Sequence, residues 1–260
     1  MKKKTHFILR GTALLLKILP DFTSRYLLHL LIFFYSQYLF KIKNKIEVIG
    51  KENLKLVKEN KGILFVSNHE TFLDSFLIEW AKISLWDIFF NQDKISYHAP
   101  DFRNFYNSGP GQKIMSLLKN IPIDRQSKDP EVIKEILNQY CNILSRNNLH
   151  IFFEGTRTRQ DKEKSRIDSI GECKLGVVKM ILTAKPKYIV PIFLYDIHPI
   201  MPIEVGHHYE KIRSGNKGKL FIGKPLDFSC VYASELTSKK EINALVKKLI
   251  RESVIKLAPQ

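Results

Sequence analysis

Cysteine is scarce in this chain. Its three copies, Cys141, Cys173 and Cys230, are odd in number and widely spaced, which argues against a disulfide framework and fits reduced thiols in a cytosolic compartment. Long uncharged apolar runs are missing too. The stretch Tyr26 to Phe40 has 15 residues, short of the ~20 needed to cross a bilayer. His69-Glu70 is not followed by a second histidine at the metalloprotease spacing and no cysteine lies near it, so zinc is not expected. A Gly-x-Ser-x-Gly elbow is absent, which removes the commonest serine-hydrolase signature. Neither repeats nor low-complexity segments occur.

Basic residues, in contrast, are in excess: 42 Lys+Arg against 26 Asp+Glu give a formal net charge of +16. RNA-recognition signatures, zinc-finger spacing and a basic zipper are all missing, so nucleic acid is not the expected partner. The apolar N-terminus points instead to an anionic membrane lipid, with each basic residue near the leaflet adding about 1 kcal/mol of attraction. From Phe7 to Phe40 the apolar pattern is interrupted by Arg10, Lys17, Pro20, Asp21 and Arg25. This favours a pair of interfacial helices hinged near Pro20-Asp21, with one tilted span as the alternative. Lys2, Lys3 and Lys4 before apolar residues imitate a signal peptide, but no small-residue cleavage site follows. Residues 1–42 are therefore expected to associate with a membrane at its cytosolic face, ahead of a domain spanning 43–260.

At 44% hydrophobic content that domain can bury a sizeable core. Apolar runs at Ile46-Gly50, Gly62-Ser67, Ile121-Asp124, Leu149-Glu154, Tyr188-Leu194 and Lys219-Gly223 alternate with helical patterns. The expected fold is α/β, a largely parallel central sheet flanked by helices. One helix opens at Asp129-Pro130 and carries an apolar stripe through Val132, Ile133, Ile136, Leu137, Tyr140, Ile143 and Leu144. A second covers Lys174 to Ala184. A third runs from about Ser238 to Leu257, where Ser238 through Glu241 reads as a capping box.

Chemistry concentrates where the apolar runs end. After Gly62-Ser67 come Asn68-His69-Glu70-Thr71-Phe72-Leu73-Asp74. Residues five apart lie about 140° apart around a regular helix, so His69 and Asp74 meet only if the histidine sits in a turn before the helix. A carboxylate on one imidazole nitrogen fixes the tautomer and frees the other to take a proton from a hydroxyl. Thr71 to Asp74 also fits a capping box, and the residues alone leave both readings open. A second strand end, Phe152-Phe153-Glu154-Gly155-Thr156-Arg157, offers a glycine for close backbone approach, a hydroxyl donor and a guanidinium fork for phosphate or carboxylate oxygens. Two further segments, Ile121-Pro122-Ile123-Asp124-Arg125 and Tyr188-Ile189-Val190-Pro191-Ile192-Phe193, add a cation after an apolar run and a proline that suits an edge, bulge or strand terminus.

The order and content of these four segments resemble the glycerolipid acyltransferase family, which includes the lysophosphatidic acid acyltransferases. Its blocks are N-H-x-x-x-x-D, an apolar segment ending in arginine, F-P-E-G-T-R, and an apolar V-P-I segment, and the likeness runs over roughly residues 45 to 227. The resemblance implies that His69 is the base and Asp74 its orienting acid, that Arg125, Gly155, Thr156 and Arg157 hold acceptor phosphate with Glu154 organising the turn, and that Pro191 belongs to the substrate site. It implies a lysophospholipid acceptor, foremost 1-acyl-sn-glycerol-3-phosphate, and an acyl thioester donor on CoA or acyl-carrier protein, with no other cofactor. Lyso-ornithine lipid, lysophosphatidylcholine or glycerol 3-phosphate as acceptor, a thioester or lipid hydrolase using Cys173 or a serine with a histidine, and a non-catalytic membrane-binding protein are the alternatives. Two departures stand out: Phe153 replaces the family's proline, and the aromatic-rich stretch between Asp74 and Arg125 is long, suiting a lid, a membrane-facing loop or an extra packed helix.

Overall fold

Ile63-Leu64-Phe65-Val66 is apolar without alternation, the pattern of a strand covered on both faces. In the computed structural model, which describes residues 21–58, 61–100, 109–124, 127–158, 167–202, 212–233 and 238–259, it is the hub of the sheet. Five strands, β1 (Glu47–Ile49), β2 (Ile63–Ser67), β3 (Leu149–Phe152), β4 (Tyr188–Tyr195) and β5 (Lys219–Ile222), lie in the order β1-β5-β4-β2-β3. β2 pairs in parallel with β3 and β4, and β1 in parallel with β5. β4 and β5 are antiparallel, so the expected sheet is largely but not wholly parallel.

Successive side chains of a strand face opposite ways, and the core divides accordingly. Leu64, Val66, Leu149, Ile151, Ile189 and Phe193 bury one face of the sheet under α5 (Pro130–Leu144), α6 (Leu175–Ala184) and α8 (Lys239–Ile255). Ile63, Phe65, Val190, Ile192, Leu194 and Leu220 bury the other under α2 (Asp74–Lys82). The other α-helices among the described residues are α1 (Asp21–Ser36), α3 (Leu85–Phe90), α4 (Gly109–Leu117) and the short α7 (Ser229–Ala233). The α5 cap is as expected: Asp129 accepts from Glu131 N–H at 2.9 Å, with Pro130 in the first turn. Ser238 caps α8 by accepting from Lys240 N–H, so the expected capping box is replaced by a simple side-chain cap.

Two expectations change. Ile121–Asp124 is not a strand. It makes single backbone contacts, Ile121 N–H to His98 O and Ile123 N–H to Pro100 O, and its neighbour Asn120 forms an isolated bridge with His98, so this extended segment borders the sheet without a ladder. Pro191 is not at an edge but inside β4, between β2 and β5. Its carbonyl accepts from Gly223 N–H at 2.8 Å, just past the last β5 residue, so the donor that proline lacks faces the end of a ladder.

The first of the two expected N-terminal helices lies outside the described residues. The second is α1, which continues as a π-helical turn, Gln37–Lys43. Its inner residues Leu28, Phe33, Leu39 and Phe40 are buried, while Phe22, Leu31, Phe34 and Ile42 are exposed. Among the described residues no helix is long and apolar enough to cross a membrane. The long stretch after Asp74 is made of packed helices, α2, α3 and α4, with Phe102, Phe105 and Tyr106 outside the described residues.

Gly50 is the position where the backbone itself demands glycine. Its φ is +79°, and an added Cβ would lie 2.2 Å from the Ile222 carbonyl oxygen. Gly62 has a similar φ, +78°, but its nearest neighbour would be 3.4 Å away. Gly50→Ala is expected to lower the unfolding free energy in urea by about 2–4 kcal/mol, and Gly62→Ala by about 1–2 kcal/mol. Equal losses would contradict the close approach at Gly50.

Candidate active site

The turn after β2 is pinned on both sides, leaving one side chain facing outward. Asn68 prolongs the pairing with β4 by its side chain: Nδ2 donates to Leu194 O at 3.0 Å, and Leu194 N–H donates to Oδ1 at 2.8 Å. Glu70 folds back, its Oε2 accepting from Ile197 and His198 N–H, both at 2.8 Å. Between them His69 reaches the surface of a cavity of about 670 Å3.

Asp74, fully buried at the start of α2, closes the turn before the helix and meets the histidine; the expected capping box does not form, since Leu73 is the N-cap and no side chain caps it. Its Oδ2 accepts from Glu70 N–H at 2.5 Å and Thr71 N–H at 2.8 Å, and its Oδ1 accepts from the Thr71 hydroxyl at 2.6 Å. The same Oδ2 lies 2.9 Å from His69 Nδ1. Because a carboxylate only accepts, Nδ1 carries the proton and Nε2 is left as the free lone pair. Phe152 stacks on the imidazole at 3.7 Å with planes 10° apart, so ring orientation is fixed by a flat contact as well as by the carboxylate.

The second strand end is tied to the first. Phe153 is buried in the core, and its N–H donates to Ser67 O at 3.1 Å, a bond that a proline there could not make. Glu154 is a brace. Its Oε1 accepts from His69 N–H at 3.3 Å and from the Thr158 hydroxyl at 2.6 Å, and its Oε2 accepts from Gly171 N–H at 2.8 Å. Burial raises the Glu154 carboxyl above its usual value, against these hydrogen bonds, which act to lower it. Thr158 N–H donates to His69 O at 2.6 Å. Gly155, at φ +66°, Thr156 and Arg157 then line the same cavity as His69. The Arg157 guanidinium lies 4.0 Å from the centre of the Phe72 ring, a stacking that holds a planar cation at the rim.

The structure thus brings together His69, Asp74, Glu154, Gly155, Thr156 and Arg157. Arg125 lies outside the described residues, although its neighbour Asp124 lines the cavity. Pro191 sits in β4 opposite Val66, away from the cavity lining. Glu70 is occupied by backbone, and no three His, Cys, Asp or Glu side chains converge as a metal site among the described residues.

Other residues at the site escaped the sequence reading. Lys174, whose side chain would touch a Cβ at Gly155, adds a second cation to the lining, but nothing in its local sequence distinguishes it from other surface lysines. His150 precedes Phe152 by two residues, so period-two alternation could have placed both on one face. Its ring meets Phe152 edge-on at 4.7 Å, and Nε2 lies 2.9 Å from Ser67 Oγ. Burial pushes it well below the usual histidine range, so it is neutral. Its Nδ1 is 3.2 Å from His98 Nδ1, and His98 faces Glu79 at 3.2 Å. Burial acts to raise the Glu79 carboxyl, yet the Lys82 ammonium at 2.6 Å and the His98 ring outweigh it and hold Glu79 far below the usual carboxylate range.

The α/β layer thus carries a histidine–aspartate pair beside a cationic rim, a site equipped for general-base chemistry on an anionic substrate. The Acyltransferase family model matches residues 45–195, more than half the chain, and this protein belongs to that family. Among solved structures the chain is similar to the crystal structure of the 1-acyl-sn-glycerophosphate (LPA) acyltransferase, PlsC, from Thermotoga maritima. The two share 15% identity with a TM-score of 0.59, over 100% of this chain and 99% of that one, a likeness of fold. No curated protein matches the chain.

The double duty of Asp74 separates stability from chemistry. Asp74→Ala strips an acceptor from buried donors and is expected to destabilise by about 2–5 kcal/mol, whereas His69→Ala should change stability by about 1 kcal/mol. Thermal or denaturant unfolding of both variants checks this; similar losses would show that Asp74 is not the structural anchor.

Proposed function

We propose that this acyltransferase acts on glycerolipids, transferring a fatty acyl chain from a CoA or carrier-protein thioester to the free hydroxyl of a lysophospholipid, foremost 1-acyl-sn-glycerol-3-phosphate, to give phosphatidic acid. The observation that carries this reading is the 2.9 Å contact of His69 Nδ1 with buried Asp74, on a cavity shared with Arg157. His69 Nε2 takes the hydroxyl proton as the acceptor oxygen attacks the thioester carbonyl. The tetrahedral intermediate collapses with cleavage of the carbon–sulfur bond, and the imidazolium returns the proton to the departing thiolate. Asp74 steadies the transient positive charge without taking the proton. Arg157, with Lys174 beside Gly155, offers cations for acceptor phosphate. A hydrolase built on Cys173 is disfavoured, because that thiol is buried and burial pushes its pKa up to about 12.

Membrane association at the cytosolic face is part of the proposal. Its support is the exposed apolar surface where α1 meets α3: Phe22, Leu31 and Phe34 from α1, and Trp86 and Phe90, 66% and 64% exposed, from α3. Tyr26 of α1 donates to Phe89 O of α3, so the two helices present their rings together. Buried in lipid, each large ring contributes roughly 1.5–3 kcal/mol, and the net positive charge favours an anionic leaflet.

With purified enzyme, lysophosphatidic acid and labelled acyl-CoA, His69→Ala is expected to lower kcat about 100- to 10,000-fold. Arg157→Ala should raise the KM for the phosphorylated acceptor about 10- to 100-fold while the donor KM changes little. Acyl release without an acceptor would support hydrolysis instead, and equal effects on both substrates would contradict the assignment of Arg157. For the membrane contact, flotation with vesicles containing anionic phospholipid should show Trp86→Ser with Phe90→Ser weakening binding at least about ten-fold. Undiminished binding would exclude that surface.

A further inference from the structure

A second cavity, of about 400 Å3, lies between the end of α1, the chain entering β1 and the junction of α2 with α3. Apolar Phe33, Ile46, Ile83 and Leu85 line it together with three polar side chains, Gln37, Lys41 and Lys51. None of those three lines the cavity of His69, whereas Phe33, Trp80 and Ile83 border both and form the partition.

The backbone brings the two cations to one place. Along an α-helix a residue four positions on lies about 40° further round the axis. In the π-helical turn Gln37–Lys43 the bonds run i→i+5 and each residue advances roughly 80°, so four positions on falls about 40° short. The two offsets cancel over Phe33, Gln37 and Lys41, which returns Lys41 to the line of buried Phe33. An uninterrupted α-helix would leave it about 80° away. The turn is pinned beside Lys41: Phe40 is buried, and its carbonyl accepts from Ile46 N–H at 2.8 Å. Lys51 follows Gly50, whose close approach to the Ile222 carbonyl fixes the chain there.

Neither charge is neutralised. Among the described residues neither ammonium has an ion-pair partner. Asp87, the carboxylate that acts on Lys51, is engaged by the Lys94 ammonium at 2.7 Å and the Ser84 hydroxyl at 2.6 Å. Burial lowers Lys51 below the usual lysine value, so an anion beside it is favoured. Lysines bind phosphate as point charges. A free phosphate would leave the apolar wall unused, but a phospholipid meets both features, and Leu85 runs directly into Trp86 of the exposed apolar surface.

We infer that this cavity is a second lipid site, separate from the catalytic one, which holds the phosphate of an anionic phospholipid at Lys41 and Lys51 with its glycerol and first methylenes against the apolar wall. The inference rests on the membrane contact proposed above and gives that contact a defined ligand.

The test is a titration with dihexanoyl-phosphatidylglycerol below its micelle concentration, followed by the fluorescence of the chain's two tryptophans, Trp80 on the cavity and Trp86 beside it. Binding should saturate, and dihexanoyl-phosphatidylcholine and inorganic phosphate should each bind at least about ten-fold more weakly. Lys41→Gln with Lys51→Gln should weaken binding roughly ten- to a hundred-fold. Gln37→Phe, which keeps every charge and fills the cavity, should do the same. Lys55→Gln with Lys58→Gln, which removes equal charge outside the cavity, should leave binding unchanged. Equal weakening by both lysine pairs would make the attraction diffuse and overturn the site, as would full binding in Gln37→Phe, equal affinity for the choline lipid, or no saturation. Inorganic phosphate binding as tightly as the lipid would overturn the lipid assignment. The readout needs neither turnover nor vesicles, so its failure is distinct from failure of acyl transfer or of flotation.

Discussion

One carboxylate organises this site. Asp74 is fully buried, and its two oxygens gather two backbone amides, a threonine hydroxyl and an imidazole. Burying an ionised carboxylate is unfavourable unless donors surround it, and here those donors also shape the turn between β2 and α2. Glu70 and Thr71 can donate only because the chain leaves the strand before the helix begins. That departure puts His69 next to Asp74 rather than on the far side of a helix. Folding the turn and orienting the base are thus the same event.

A second carboxylate couples this turn to the neighbouring strand end. Glu154 accepts from His69 N–H, Thr158 and Gly171, while Phe153 N–H and Thr158 N–H donate to the carbonyls of Ser67 and His69. The base and the cationic rim are therefore held in one hydrogen-bonded frame, at the same end of adjacent parallel strands. Reactions between two bound substrates depend on such fixed separation, because positioning supplies much of the rate. Phe152 completes the frame, with His69 flat on the ring and His150 edge-on to it.

Much of this was legible in the residues because strong patterns were local. Ile63 to Val66 and Tyr188 to Leu194 are apolar on every position, and their burial on both faces follows. Asp129-Pro130 and Ser238 mark helix starts through caps that need no tertiary help. What was missed depends on pairing across long separations. The antiparallel entry of β5 is set by the chain between Tyr195 and Lys219, not by the composition of the strand. Ile121–Asp124 has the residues of a strand but finds only the irregular segment around His98 to pair with. The stripe on α5 reads as a packed face, yet Ile133 remains 39% exposed because part of the helix borders the cavity. Glu79 and His98 carried no local signal, and although strand alternation puts His150 on the face of Phe152, three elements must fold before the three side chains meet.

The central claim is that Asp74 holds the His69 ring with Nδ1 protonated and Nε2 free. Nitrogen NMR of specifically labelled histidine, assigned through His69→Ala, reads this directly in the neutral ring. The account predicts a protonated Nδ1 and an unprotonated Nε2, with that preference lost in Asp74→Asn. A proton found on Nε2 in the wild-type protein would contradict it, because no lone pair would then face the cavity to receive the acceptor's proton.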